Sequence, residues 1–441
     1  MKQIKSAESG SEGNTPSLTK LFIEPTTRCN FRCKMCVKQS SEQYIKEGDM
    51  LFQTFQQLIP AMGSLDSIIF SGIGEPTLHP DLPLFIETAR TYLPRQSSIG
   101  LQSNGSLLSK PLVSQLVNKG LDRICLSIDT VDPAEFQSIR AGGVFRQVDQ
   151  SIQMIQKISN PVKLGVEFVV MRKNLHQLLE VIQWAVDRQI DFVIVTQMLP
   201  YDVQTNQEIT YGTNTDISRE SFLNHLQEIR KKFPHLKPYL NIDRYLSFRW
   251  KYQKTADEAK VIQLLETIKE EAFLQDIPFH INHLFSEDLN YLTEIEKVFS
   301  HSKAIADKGG VKLSLPSISP MFDRKCHFIE EGSAFISWFG SVHPCYFLWH
   351  RYSCFINGHM KQVQERSFGA LDQNSLKIIW QTEAFTDFRK TVLKYDYPYC
   401  NDCKIGPCDL VTDDEFEVDC YTINVPCGHC PWGSGLLQCL L

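Results

Sequence analysis

Fourteen cysteines, unevenly placed, restrict what this 441-residue chain can become. Three lie at 29, 33 and 36, one at 125, none between 126 and 325, and ten beyond 325. Disulfide scaffolds are short and secreted. Here the N-terminal stretch MKQIKSAESGSEGNTPSLTK lacks the apolar core of a secretory signal. A cytoplasmic setting is therefore expected, where clustered thiols bind metal more often than they pair. A net charge of -6 with no basic patch gives no electrostatic case for nucleic acid. No stretch approaches the ~20 apolar residues of a membrane span.

Strand-length apolar runs recur along the first half: LFIEPT (21–26), SIIFSG (67–72), SIGLQSNG (98–105), RICLSID (123–129), KLGVEFVV (163–170) and DFVIVTQML (191–199). Segments with helical spacing separate them, among them PDLPLFIETARTYL, KPLVSQLVNKG and NLHQLLEVIQWAVDRQ. Alternating strands and helices imply an α/β fold with a parallel sheet, and six repeats predict a partial (β/α)6 barrel over 18–200. Residues 1–17 read as a disordered tail. Residues 201–325 read as a helical insertion or linker, with helices in DISRESFLNHLQEIRKKF and ADEAKVIQLLETIKEEAFLQD. Residues 326–441 read as a cysteine-rich domain. It has strands in SAFISWFG and SVHPCYF, a helix in SLKIIWQTEAFTDFRKTVLK, then a loop region that needs metal to fold.

Cys29, Cys33 and Cys36 form C-x3-C-x2-C directly after the first strand. Three thiolates ligate three irons of a [4Fe–4S] cube and leave the fourth open to a ligand. A three-cysteine zinc site suits the same residues. The loop sits at the C-terminal end of a strand, where such barrels place their chemistry. The arrangement over 21–199 resembles the radical S-adenosylmethionine (SAM) superfamily. That resemblance implies SAM bound to the open iron and cleaved to a 5′-deoxyadenosyl radical that abstracts hydrogen from substrate. Met35 stands where the family often has an aromatic residue. Ser71-Gly72-Ile73-Gly74-Glu75-Pro76 looks like the family's GGEP segment and would receive SAM's ammonium group on its backbone and on Glu75. Ser103-Asn104-Gly105 resembles its T-N-G, and Ser127-Ile128-Asp129 its S-[IL]-D-G, with Thr130 in the glycine place. By the same resemblance Ser127 and Arg140 would hold SAM's carboxylate, Asp129 the ribose or substrate, and Val195 to Met198 would lie near the adenine. Cys125, inside a strand, is expected to be a small buried hydrophobe.

Cys326, thirteen residues, Gly340, four residues and Cys345 open the second system. Cys400-x2-Cys403-x4-Cys408, Cys420, Cys427-x2-Cys430 and Cys439 follow. This resembles the SPASM domain of radical SAM peptide and protein maturases. The front half fits, while the rear half departs in its x4 spacing and in the twelve positions before Cys420. These nine thiols suffice for one or two auxiliary [4Fe–4S] clusters, and the pairs Cys400/Cys403 and Cys427/Cys430 also suit zinc. Cys354 falls outside every pattern, and His429 is expected to be exposed rather than a ligand. FIEPTTRCNFRCKMC, VEFVVMRKN, SFGALDQNSLKIIW and CGHCPWGSGLLQC resemble a SPASM subgroup proposed to mature tungsten-cofactor or aldehyde oxidoreductases.

The resemblance implies an enzyme acting on a peptide, a protein or a protein-bound cofactor. A tungsten or molybdenum oxidoreductase would be its target, and a ferredoxin or flavodoxin its low-potential electron donor. A ribosomal-peptide maturase forming crosslinks, thioethers or epimers is the alternative within that class. A ferredoxin-like carrier or zinc-stabilised binding module without turnover is the alternative outside it.

Overall fold

The computed structural model describes residues 15–40, 45–158, 162–356, 358–400 and 418–440. All six expected strands are present: β1 (Lys20–Ile23), β2 (Ser67–Phe70), β3 (Ser98–Ser103), β4 (Arg123–Ser127), β5 (Lys163–Val170) and β6 (Phe192–Gln197). They pair in chain order and in parallel. Helices such as Leu82–Tyr92, Lys110–Asn118, Phe145–Gln156 and Gln177–Asp187 return the chain between them. Strands covered on both faces need apolar residues at successive positions; accordingly every residue of β2 is buried.

The sheet extends beyond six strands on both edges. A seventh parallel strand, β7 (Lys312–Ser314), pairs with β6. On the other edge β8 (Ser333–Ile336) pairs in parallel with β1, and β9 (Val342–His343) adds antiparallel to β8. Both flanking segments therefore contribute strands to the barrel sheet. The 201–325 segment is helical from Val203 to Gly309 and then rejoins the barrel. The 326–441 segment supplies strands to the same sheet. Three- and four-residue strands are too short to show a period, so their partner could not be read from sequence.

The 21-residue helix Leu289–Gly309 was not foreseen, although its apolar positions, Leu292, Ile295, Val298, Phe299 and Ala306, have helical spacing. It packs against Gln177–Asp187, so closely that a Cβ on Gly309 would lie 2.2 Å from Val186 Cγ2. The preceding helices, including Asp216–Lys232 and Ala256–Leu274, close over a separate core containing Phe222, Leu236, Tyr245 and Leu265. Near the C-terminus the single helix expected is two, Leu376–Gln381 and Glu383–Lys394; Thr382 between them caps the second by accepting from Phe385 N–H at 3.4 Å. Among the described residues no helix is long and apolar enough to cross a membrane.

The main core is dense in aromatic rings near β2, where Phe55 and Phe85 stack at 4.5 Å and neither is exposed. Phe85→Ala should lower the unfolding free energy by about 3–5 kcal/mol. Anaerobic denaturant titration would show this as a lower midpoint at unchanged slope. A loss below about 1 kcal/mol would mean that the stack is not part of the cooperative core.

Candidate active site and auxiliary thiol sites

The chain leaves β1 into the loop that carries Cys29, Cys33 and Cys36. The loop is strapped down from several sides. Thr27 N–H donates to Gly48 C=O (3.1 Å) and Thr27 Oγ1 to Lys46 C=O (2.8 Å). Arg32–Cys33 form a two-residue antiparallel ladder with Arg140–Ala141, and Lys34 N–H donates to Ile139 C=O at 3.1 Å. The Cys33 thiol feels both Cys29 and Cys36, and Cys36 feels Cys29, so the three lie within electrostatic reach of one another. Burial pushes all three upward, Cys33 to about 12, with Arg140 opposing the shift. Without a metal these thiols stay protonated at neutral pH. A bound iron must displace those protons, as thiolate ligation always requires.

The Gly72–Glu75 turn presses against the loop. A Cβ on Gly74 would lie 2.2 Å from Thr26 O and 2.6 Å from Arg28 O, so only glycine fits. Glu75 N–H donates to Arg28 C=O at 2.8 Å. The Glu75 carboxyl lies within electrostatic reach of Cys29 and is held by the end of β3. Its Oε1 accepts from Thr77 N–H (3.2 Å), Thr77 Oγ1 (2.6 Å) and Ser103 Oγ (2.7 Å), and its Oε2 from Asn104 N–H (2.7 Å). Only Oε2 keeps spare acceptor capacity. The buried carboxyl thus ties the end of β2 to the end of β3. Asn104 completes the tie, donating to Asn30 Oδ1 in the cysteine loop at 2.9 Å.

Beyond β4, Ser127 is buried, and Asp129 is fully buried with Oδ1 accepting from Val169 N–H at 2.9 Å. Its Oδ2 lies 2.7 Å from Arg140 Nε. Arg140 is therefore ion-paired with Asp129 through Nε, which leaves its Nη groups as the donors for a ligand carboxylate. Its Nη1 still faces Cys33 Sγ at 4.0 Å. Burial alone would lower Arg140, but Asp129, Cys33 and Glu167 outweigh it and hold the guanidinium above its ordinary value. Met35 packs with Ile139, Met171 and Met198 in an apolar group, so the sulfur side chain fills the space beside the loop. Cys125 is fully buried in β4.

Several polar residues of the barrel interior were not foreseen. Glu24, which follows β1, is fully buried; it accepts from Ile73 N–H (3.1 Å), and His350 Nε2 lies 3.1 Å from its Oε2. Ser71 Oγ donates to Gln102 Oε1 at 3.0 Å, and Gln102 Nε2 donates to Glu167. A carboxylate inside the apolar-polar rhythm of a strand was the available signal: FIEP for Glu24 and GVEF for Glu167.

The C-terminal thiols divide. Cys326, Cys345, Cys427 and Cys430 lie within each other's electrostatic reach. Burial raises them, Cys326 to about 12 and Cys430 to about 11. Arg324 lies over the rings of Tyr397 and Tyr399 and donates to Pro398 C=O at 2.8 Å, which holds the neighbouring strand of chain against the quartet. That neighbour carries Cys400, whose N–H donates to Gly428 C=O at 3.2 Å. Cys420 is exposed, and Cys403 and Cys408 lie outside the described residues. Four thiolates are the full ligand set of a cubic cluster, so the quartet fits that group by its donors. Among the described residues no three His, Cys, Asp or Glu side chains converge on one ion position.

One expectation changes here, that for His429. Cys439, grouped with the ligands from its place in the pattern, lies within electrostatic reach of Cys430. Its Sγ accepts from the Trp432 indole N–H at 2.9 Å, and its foremost charged neighbour is Glu167 of β5. Leu440 beside it packs 3.6 Å from the Cβ position of Gly100 in β3, so the tail enters the barrel. His429 is half-buried rather than exposed; burial lowers it to about 3, and its Nδ1 has no hydrogen-bond partner among the described residues. Cys354 is buried in a hairpin of Tyr352–Ile356 and His359–Val363.

A model of the radical SAM superfamily matches residues 23–185, and a model of an iron–sulfur cluster-binding domain, SPASM, matches residues 326–404. The chain is 27% identical over 428 residues to the tungsten-containing aldehyde ferredoxin oxidoreductase cofactor-modifying protein of Pyrococcus furiosus, covering 95% of this chain and 96% of that one. It is 31% identical over 229 residues to a probable GTP 3′,8-cyclase of Sulfolobus acidocaldarius, covering 50% of this chain and 69% of that one. Among solved structures, Streptococcus suis SuiB bound to S-adenosylmethionine matches with a TM-score of 0.50 at 13% identity, over 85% of this chain and 68% of that one. This last is a likeness of fold.

Two outcomes test this geometry. Cys430→Ser should remove about four irons per chain after anaerobic reconstitution, while Cys439→Ser should leave the count unchanged; equal losses would place Cys439 in the ligand set. Glu167 is raised to about 7, first by burial, against the opposing pull of Arg140. A carboxyl raised on folding favours its protonated form, so its contribution to stability is full below its ordinary value near 4.5 and is lost as pH rises through about 7. Across that window the unfolding midpoint of Glu167→Gln should gain on wild type. A pH-independent difference would show that the carboxyl is hydrated.

Proposed function

The chain belongs to the radical SAM superfamily and is an iron–sulfur, SAM-dependent enzyme, and from that premise we propose that it matures a protein-bound metal cofactor or its protein by hydrogen abstraction. It binds a [4Fe–4S] cluster and SAM in the barrel and auxiliary iron–sulfur clusters in the SPASM domain. When bound, the barrel cluster and SAM supply one-electron cleavage and the hydrogen abstraction that follows.

The observation that carries this reading is the strapped loop. Cys29, Cys33 and Cys36 lie within electrostatic reach of one another beyond the C-terminal end of β1, with the Gly72–Glu75 turn under Arg28 and the Arg140 guanidinium at Cys33. These residues fit a three-thiolate cluster with one open iron. The three cysteines would hold the cluster, and the Gly72–Glu75 turn would offer backbone carbonyls to SAM's ammonium group. Asp129 orients Arg140, and the Met35–Met198 group offers an apolar wall to an adenine. Asp129 is paired with Arg140 and Glu24 faces His350, while burial raises Glu167 to about 7, so a cationic ligand beside it would favour its charged form. Likeness over nearly the full length to a cofactor-modifying protein supports a metalloenzyme, such as a tungsten or molybdenum oxidoreductase, as the target. A low-potential ferredoxin or flavodoxin would supply the electron.

Anaerobic reconstitution followed by iron counting and a SAM-cleavage assay tests the reading. Wild type should hold about twelve irons per chain and release 5′-deoxyadenosine; a count of about eight would mean one auxiliary cluster. Cys29→Ala/Cys33→Ala/Cys36→Ala should lose about four irons and all 5′-deoxyadenosine. Product formation by the triple variant, or zinc in place of iron in wild type, would overturn the assignment.

A further inference from the structure

At the end of the barrel opposite the cysteine loop lies a cavity of about 720 Å³. Its rim is formed by the first residues of four adjacent strands: Arg123 of β4, Lys163 of β5, Phe192 of β6 and Lys312 of β7. Lys325 and His327 join them from the segment that carries Cys326. Barrels of this kind do their chemistry at the C-terminal ends of their strands, so this opening is not the mouth that substrate uses. Cys326 itself lines the cavity, whereas Cys345, Cys427 and Cys430 do not. The thiol quartet thus turns one edge toward this opening.

The rim's charge is lopsided. Lys163, Lys312 and Lys325 are exposed and make no ion pair among the described residues. Asp191 is the single acidic residue of the lining, and its Oδ2 accepts from Leu164 N–H at 2.7 Å. Of the acids close by in sequence, Asp122 pairs with Arg90, Glu331 with Lys20, and Glu330 accepts from Tyr395 Oη at 2.5 Å; Asp323, exposed two residues from Lys325, offsets only part of the positive charge. This cationic collar stands on a chain of net charge -6. A local field of sign opposite to the whole molecule's is a device for steering one charged partner to one place.

We propose that the collar of Lys163, Lys312 and Lys325 docks a small acidic one-electron carrier protein and brings its redox centre to the Cys326 edge of the thiol quartet. This rests on the reading that Cys326, Cys345, Cys427 and Cys430 hold an auxiliary cluster. The step balances simply: the carrier is oxidised by one electron, the site held by the quartet is reduced by one, and no proton or bond changes place. The collar's lysines supply long-range attraction, and the apolar wall of Phe328, Trp432 and Leu437 keeps water from the contact.

The test uses reconstituted holoprotein and an acidic ferredoxin as the carrier. Stopped-flow bleaching of the iron–sulfur absorbance by the reduced ferredoxin should slow with rising salt in wild type. Lys163→Glu/Lys312→Glu/Lys325→Glu should slow it about tenfold or more at low salt and abolish that salt dependence. The milder Lys→Gln triple should fall between. Lys231→Glu/Lys232→Glu/Lys237→Glu, the same charge change on the helical insertion, should behave as wild type. Reduction by methyl viologen radical cation, which needs no cationic collar, should be undiminished in every variant. Zero-length carbodiimide cross-linking should join ferredoxin carboxylates to Lys163, Lys312 or Lys325. Equal bleaching rates in wild type and collar variant, or cross-links confined to other lysines, would overturn the proposal. So would protection of the collar from cross-linking by inorganic phosphate at low millimolar concentration, which would make it a small-anion site. The underlying reading fails differently, as an iron count that Cys430→Ser leaves unchanged.

Discussion

Everything in this protein hangs from β1. Four residues, Lys20–Ile23, pair in parallel with β2 on one side and with β8 on the other. The first partner belongs to the barrel and the second comes from more than three hundred residues later, so one short strand joins the N-terminal and C-terminal cysteine systems. The loop bearing Cys29, Cys33 and Cys36 leaves from its end. Glu24, the next residue, accepts from Ile73 on the β2 side and meets His350 from the C-terminal side. Displacing β1 would therefore move both thiol systems together, and their relative position is as rigid as a ladder of parallel hydrogen bonds.

The barrel interior carries a second constraint. Asp129, Arg140, Gln102 and Glu167 cross it as a connected polar layer, buried beneath the cysteine loop. Buried ionic groups are costly unless paired, and the pairing fixes geometry as it lowers that cost. Arg140 shows the coupling: its backbone forms a ladder with Cys33, its guanidinium pairs with Asp129, and its remaining edge faces a thiol. The same layer reaches Cys439, carried into the barrel by the C-terminal tail. The tail is held by Gln438 N–H donating to Thr196 Oγ1 (3.0 Å) and Gln197 N–H donating to Leu436 C=O (3.2 Å). The last residues described are thus part of the barrel's filling.

Much of this was legible beforehand. β-branched runs marked the six strands, because strands buried on both faces must be apolar throughout. Thiol spacing marked the first site, because three ligands within one loop need no distant partner. What stayed hidden depended on distant pairing. β7 and β8 are too short to announce themselves. The helix Leu289–Gly309 had a periodic signal but no chemistry to draw attention to it. Cys439 fits the spacing of a ligand pattern as well as Cys430 does, and spacing did not show that its Sγ accepts from the Trp432 indole and lies near Glu167.

The sequence by itself determined the chemistry available: clustered soft ligands, an alternating strand–helix scaffold, and glycines at the one turn that must pass beneath a loop. Those are local properties, set by residue type and near-neighbour spacing. Only the tertiary structure decided how each group is used. Glu75 is bonded by Ser103 and Asn104, Arg140 is paired with Asp129, and Cys326, Cys345, Cys427 and Cys430 are brought within each other's electrostatic reach. Such choices turn on which buried polar groups find partners across the sheet, and no one-dimensional spacing encodes that.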